Sequence, residues 1–350
     1  LVAITTVLVL ILSLAIMLLS CEVFTNGIEW LGLRLGLAET ATGSVLAAVG
    51  TAMPETIVPL IAIFFGGAIK GEEVGVGAIL GAPFMLATLA MFVGGVAVLW
   101  RHRKKKGPAH LKLRRDHAER DMRHFIVMYV LAFIAALLSV QSYFDAHPVN
   151  IGIAIVLLIA YGYYLNRTLR DEKVEKSNSC PALYLCRLFG GEAGSGRYGF
   201  WMIVLQVVAA LIGIIIGARI FVDEVENVST AVGIPTLILS LLIAPIATEL
   251  PEKFNSVIWY LHAKDTLGFG NITGAMVFQS SIPVSIGLLF TTWHVDTLGF
   301  ASMAIALLGS AWMLYSISRP KGITYGVMLA SGSLYVVYIA LVAIQLLFYP

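Results

Sequence analysis

The chain has 350 residues, is 59% apolar and only 13% charged, and carries a formal net charge of +2 at neutral pH. A mean hydropathy of +0.88 leaves more apolar surface than one globular core can hide, so soluble fold classes drop out and lipid must act as solvent. The length holds one membrane bundle and leaves no room for an appended catalytic or nucleic-acid-binding domain.

Apolar runs of about 20 residues, enough to cross the hydrocarbon core as helix, fall near Val2–Phe24, Thr42–Phe65, Val74–Leu99, Phe125–Tyr143 and Val149–Tyr164. A second set follows near Phe200–Val222, Ile234–Leu261, Leu267–Thr291, Thr297–Ile317 and Ile323–Phe348. The first run lacks a basic leading segment, so Leu1–Ser20 reads as a span rather than a cleaved signal peptide. Alternating polarity is absent and the runs are too long for barrel strands. The expected fold is therefore an all-α integral membrane protein of about ten transmembrane helices. Cys21 lies in the first span and Cys180 and Cys186 in a polar linker, a spacing that fits neither a zinc site nor a redox pair, so all three read as reduced structural thiols.

If ten helices alternate across the bilayer, one side receives Arg34, the cluster from Arg101 to Arg123, the group from Arg167 to Arg197, Lys264, Arg319 and Lys321. The other side receives only Lys70 and Arg219, with acids at Glu72, Glu73, Asp223, Glu224 and Glu226. That segregation predicts a cytoplasmic basic side and both termini outside.

A repeat emerges at a shift of 197 positions, which lays Leu14–Glu55 on Leu211–Glu252 and brings Thr51 onto Thr248 and Pro54-Glu55 onto Pro251-Glu252. Beyond it, Gly75, Gly77 and Gly81 pair with Gly268, Gly270 and Gly274 once the first copy's loop is allowed four extra residues. The chain divides into a first five-helix repeat at 1–166, a linker at 167–199 and a second repeat at 200–350. Each repeat has an odd number of spans, so the two must enter the membrane in opposite senses, the inverted plan of secondary transporters with a site at the midplane.

Each copy sets a carboxylate, Glu55 or Glu252, in the middle of a span. An acid there costs several kcal/mol unless a cation, a proton or a partner neutralises it. The preceding proline withholds an amide from the carbonyl one turn back, which predicts a proline-broken helix with free oxygens near Ala47 or Gly50 and near Ala244 or Ala247. Thr51 and Thr248 stand four residues before each acid, on the same helical face. Two such half-sites would form the oxygen-rich, doubly anionic cage that a hard cation such as Ca²⁺ prefers. A lone copy could equally be a kink with a protonated acid. The glycines read as packing positions.

The runs Gly43–Val58, GSVLAAVGTAMPETIV, and Ala244–Val257, APIATELPEKFNSV, resemble the two signature repeats of the sodium/calcium exchanger family within the calcium/cation antiporter superfamily. The resemblance implies Glu55 and Glu252 as principal ligands of Ca²⁺ and Na⁺, Thr51 and Thr248 as hydroxyl ligands, and Ala48 and Pro245 as backbone ligands. Family repeats usually carry Ser where this chain has Ala52 and Glu249. The next helix usually reads Gly-Ser-Asn-x-x-Asn. Here Ala82, Leu86 and Ala275 supply no side-chain oxygen, and only Gln279 keeps a polar group, which leaves room for proton coupling. Glu249 with Lys253 reads as a helical ion pair or as a third acidic ligand beside a cation surrogate.

The basic stretch 101–124, with His102, His110, His117 and His124, is expected to form a helix lying on anionic lipid, or else a pH or metal sensor. Residues 167–197 read as a flexible tether, and Glu22 and Arg219 as snorkelling or entrance residues. Neither linker resembles a calcium-binding regulatory domain.

The expected function is secondary antiport of Ca²⁺ against Na⁺ by alternating access, in a bacterial plasma membrane. The same fold coupled to H⁺ or carrying another cation is the second reading. No HExxH or GxSxG motif occurs, so an intramembrane enzyme ranks low, and a non-transporting scaffold or sensor is the third class. Partners are the transported ions and membrane lipid. No cofactor, nucleic acid or obligate protein partner is inferred.

Overall fold

A computed structural model describes residues 2–34, 53–66, 70–104, 108–140, 146–171, 183–185 and 199–348. Among these nearly everything is helix, and extended segments meet at an isolated antiparallel bridge between His110 and Thr324. The first half contains α1 (Val2–Arg34), α2 (Met53–Phe65) and a third span built from α3 (Lys70–Met85), a π-helical turn at Leu86–Ala90 and α4 (Met91–Arg103). It continues with α5 (Arg115–Ser139) and α6 (His147–Asp171). The second half contains α7 (Gly199–Val232), α8 (Thr236–Leu261), an eighth span built from α9 (Asp265–Gln279) and α10 (Ile282–Phe290), then α11 (Thr297–Ser318) and α12 (Tyr325–Phe348).

Eight of these units are long and apolar enough to cross a bilayer, and Pro54–Phe65 and Thr236–Ile246 are shorter apolar helices. The two short ones belong to the spans that carry the Pro-Glu acids. In α8 the charges of Glu249, Glu252 and Lys253 interrupt the apolar run, and ahead of α2 residues 35–52 lie outside the described ones.

The third and eighth spans occupy the centre: 83% and 67% of their most apolar stretches are buried, against 28% for α1, α7 and α12. Glycines make this possible. A Cβ on Gly77 or Gly81 of α3 would collide with the carbonyl oxygens of Leu237 and Leu241 on α8, and one on Gly268 of α9 would press on Ser256 and Tyr260. Small residues let helices approach where lipid supplies no hydrophobic drive, and at this approach Ser240 Oγ donates to the Val74 carbonyl at 2.7 Å. Gly81→Ala is expected to destabilise the bundle by about 1–3 kcal/mol through overpacking. Thermal unfolding in detergent measures it, and an unchanged midpoint would contradict the close crossing.

α1 and α7 pack chiefly on one another. Met17, Cys21 and Phe24 share an apolar cluster with Phe221, Val222 and Val225, and Gly213 and Gly217 of α7 sit against Ser20 and Met17. The other faces of the pair, including Leu8, Ile11, Leu12, Ile212 and Ile216, are exposed and apolar, as a lipid-facing surface must be.

Two acids make the inversion visible. When Gly75 is laid on Gly268, Glu72 falls on Asp265, and each stands in the first turn of its helix, where the helix dipole favours negative charge. Asp265 accepts from Arg101 at 2.5 Å and from the Lys112 amide at 2.9 Å, while Arg101 also donates to the Tyr260 carbonyl at 2.6 Å. Arg101 ends the span that begins near Glu72, so the two acids lie at opposite ends of the bundle. At its own end Glu72 accepts from the amide and the hydroxyl of Thr292, both at 2.6 Å. The Asp265 end also carries the exposed rings of Trp100, Tyr163, Trp201, Trp312 and Tyr315, the aromatic and basic belt of a membrane interface.

The linkers depart from expectation. The stretch 101–124 does not form one surface helix. Instead α4 continues to Arg103, α5 begins at Arg115, and residues 108–114 ahead of α5 are pinned to the turn after α11, where the Leu111 amide donates to Ile323 at 2.8 Å and the Tyr325 amide to Ala109 at 3.1 Å. Arg101 is buried because Asp265, far away in sequence, neutralises it. Within 167–199, α6 runs on to Asp171 and Leu183–Leu185 is docked rather than loose: the Tyr184 hydroxyl donates to Glu22 at 2.8 Å, the Tyr184 amide to Asn26 at 3.2 Å and the Leu185 amide to Gln206 at 2.8 Å. Glu22 is thus an anchor for the linker, whereas Arg219 is exposed. Cys21 is buried, and Cys180 and Cys186 lie outside the described residues.

Candidate cation site

Glu55 stands in the first turn of α2 and is only 6% exposed. Pro59, one turn later, withholds the amide that would close the helical ladder on the Glu55 carbonyl. Thr51 and Ala48, expected to flank this acid, lie outside the described residues.

From the other half, α8 runs unbroken from Thr236 to Leu261, which corrects the expectation of a helix broken at its proline. Pro245 and Pro251 each remove a single ladder bond, and neighbouring helices and hydroxyls let a membrane helix absorb that loss. Thr248 contributes, donating its hydroxyl to the Ala244 carbonyl at 3.0 Å. Its oxygen then keeps lone pairs for a further partner. Pro245, Thr248 and position 252 follow one another at helical spacing along one stripe of α8. The side chain of Glu252 lies outside the described ones.

These helices meet. Glu55, Val58 and Pro59 of α2, Ala78 and Ala82 of α3, and Ala244, Pro245 and Thr248 of α8 line a cavity with about 10 Å³ of room for the centre of a water-sized sphere, which is space for one water or one dehydrated cation. The structure therefore brings together Glu55, Thr248 and Pro245 out of the expected set. Glu249, fully buried, and Gln279, 2% exposed, do not line this cavity. Ala82 puts a methyl where the family pattern has a hydroxyl.

With Gly81 laid on Gly274, Leu86 falls on Gln279, as the repeat already implied, and Thr88 falls on Ser281, a correspondence that no motif announced. The third span loosens into its π-helical turn at Leu86–Ala90, and the eighth breaks between Gln279 and Ile282. Thr88 Oγ1 donates back to Phe84 at 2.6 Å, and its counterpart Ser281 Oγ donates to Val277, the counterpart of Phe84, at 2.9 Å. Such hydroxyl back-bonds bend helices, and π-turns mark functional positions. Gln279 ends α9 at this break, and its Oε1 is buried with no hydrogen-bond partner among the described residues.

Another buried acid also escaped notice. Asp121 of α5 accepts from Tyr164 at 3.0 Å and from Thr273 at 2.8 Å, tying α5, α6 and α9 together. It was hidden within the basic stretch, where charge alone suggested a solvated surface.

The family model described as "Sodium/calcium exchanger protein" matches residues 5–169 and 202–344. The chain is 23% identical over 331 residues to the uncharacterized membrane protein MJ0091 of Methanocaldococcus jannaschii, covering 90% of this chain and 92% of that one. It is 20% identical over 327 residues to the putative antiporter CaxA of Alkalimonas amylolytica, covering 91% of each. It is 22% identical over 337 residues to the inner membrane protein YrbG of Escherichia coli, covering 95% of each. Two solved structures share the fold: the H⁺/Ca²⁺ exchanger CAX, with a TM-score of 0.69 at 15% identity over 99% of this chain and 82% of that one, and the sodium-calcium exchanger NCX_Mj, at 0.57 and 16% over 96% and 97%. Both halves of the sequence match the family, and the fold agrees: this chain belongs to the sodium/calcium exchanger protein family.

Proposed function

We propose that the protein is a secondary antiporter that exchanges Ca²⁺ for Na⁺ at a site shared by Glu55 and Glu252. The supporting observation is a small cavity that receives Glu55 from one repeat and Thr248 from the other. A carboxylate buried there is tolerable when a cation or proton neutralises it. A loaded site can then be enclosed, whereas an empty, doubly charged site resists enclosure. Exchange rather than leakage follows from that difference. Thr51, Ala48 and Pro245 complete the proposed set at the cavity, and Gln279 and Glu249, which stand outside its lining, are proposed as further ligands, Gln279 carrying the oxygen that its counterpart Leu86 lacks.

A second reading couples the same site to H⁺. It is favoured by Ala82, whose methyl occupies the cavity wall and leaves fewer oxygens for Na⁺. Proteoliposomes loaded with Ca²⁺ separate the two. Efflux driven by an inward Na⁺ gradient at equal pH supports Na⁺ coupling, whereas efflux that ignores Na⁺ and follows a pH gradient assigns the proton. By the charge rule for membrane proteins, the basic end faces the cytoplasm of a plasma membrane and both termini face outward. Cysteine labelling from each side of intact vesicles checks the orientation.

A further inference from the structure

At the basic end, the extended segment 108–114 and the turn between α11 and α12 enclose a cleft of about 590 Å³. Its polar lining is basic: His110, Lys112, Arg115 and Lys321, with no acidic side chain among the lining residues. The nearby carboxylate of Asp265 is taken by Arg101 and the Lys112 amide. Leu111, Leu113, Ile317 and Ile323 give the same cleft apolar walls.

The walls are fixed. The bridge between His110 and Thr324 ties the segment to the turn, Arg115 donates to the Pro320 carbonyl at 2.9 Å, and Gly322 takes a positive φ of 63° at the bend. The height is fixed as well. Arg319 stacks on Tyr315 at 4.5 Å and Lys104 on Trp100 at 5.2 Å, and exposed aromatic rings beside cations mark the level of lipid headgroups. A pocket that is basic, partly apolar and open at that level matches a phosphate attached to a glycerol and its acyl chains better than a free anion.

We propose that this cleft binds the headgroup phosphate of an anionic phospholipid between Lys112, Arg115 and Lys321. The occupant would also be linked to the transport helices, because the Lys112 amide holds Asp265, which begins α9, while Arg101 joins Asp265 to the end of α8. Lipid binding does not depend on which ion is carried, so it is measured apart from flux.

The test uses the purified full chain in detergent, titrated with dioctanoyl phosphatidylglycerol, dioctanoyl phosphatidylcholine or inorganic phosphate and read by native mass spectrometry. The expected result is saturable binding of phosphatidylglycerol alone. Lys112→Gln combined with Lys321→Gln should weaken it by about 30-fold, from the contribution of each basic group near an anionic headgroup. Both side chains are exposed, and the Lys112 amide survives the change. Lys104→Gln, exposed and outside the cleft, should leave binding unchanged. Equal binding of phosphatidylcholine, equal affinity for inorganic phosphate, or equal losses in the Lys104→Gln protein would each overturn the proposal.

Discussion

Glu55→Gln is expected to abolish Ca²⁺ flux and to weaken Ca²⁺ binding by about 10²–10⁴-fold. The side chain keeps its size and loses its charge, and stripping one partner from a buried ion pair costs about 3–5 kcal/mol. Glu252→Gln should behave alike, because the repeat gives it the same place in the other half. Thr248→Ala removes a proposed neutral ligand and should cost only about fivefold. Isothermal titration calorimetry on the purified proteins measures all three. Ca²⁺ binding that survives in both acid variants would remove these residues from the site.

Arg101→Met should destabilise the protein by about 3–5 kcal/mol, because it leaves the Asp265 carboxylate buried without its charge partner. Both side chains are 1% exposed, so water cannot replace the lost contact. The combined change Arg101→Met with Asp265→Leu should recover most of that loss, since well-packed apolar groups can replace a buried pair. Chemical unfolding in detergent provides the comparison. A single variant as stable as the parent, or a double variant no better than the single, would show that the pair is not what holds this end.

Span count and inversion were legible because each is carried by local signals: uninterrupted apolar runs, an odd number of spans per copy, and Pro-Glu recurring at one shift. Pairings between distant positions were not. Nothing near Arg101 in sequence announces Asp265, so a basic run looked like a surface helix when its first member was buried. Tyr184 likewise sits in a polar linker and reveals its seat on Glu22 only when α1 and α7 are side by side. The continuity of α8 through Pro251 depends on what surrounds the helix, which no local rule contains. Glu55, Thr248 and Pro245 stand out from the repeated motif and all three line one cavity, whereas the matched loosening at Leu86–Ala90 and at Ser280-Ser281 needed the backbone.

The most direct test is anomalous diffraction from crystals of the chain grown with Sr²⁺ in place of Ca²⁺. The account predicts one strong peak between α2 and α8, at bonding distance from a carboxylate oxygen of Glu55 and slightly beyond the about 2.3–2.6 Å of a Ca²⁺–oxygen bond, and its loss in Glu55→Gln. A peak elsewhere, or none at this cavity in protein that binds Sr²⁺ in solution, would contradict it.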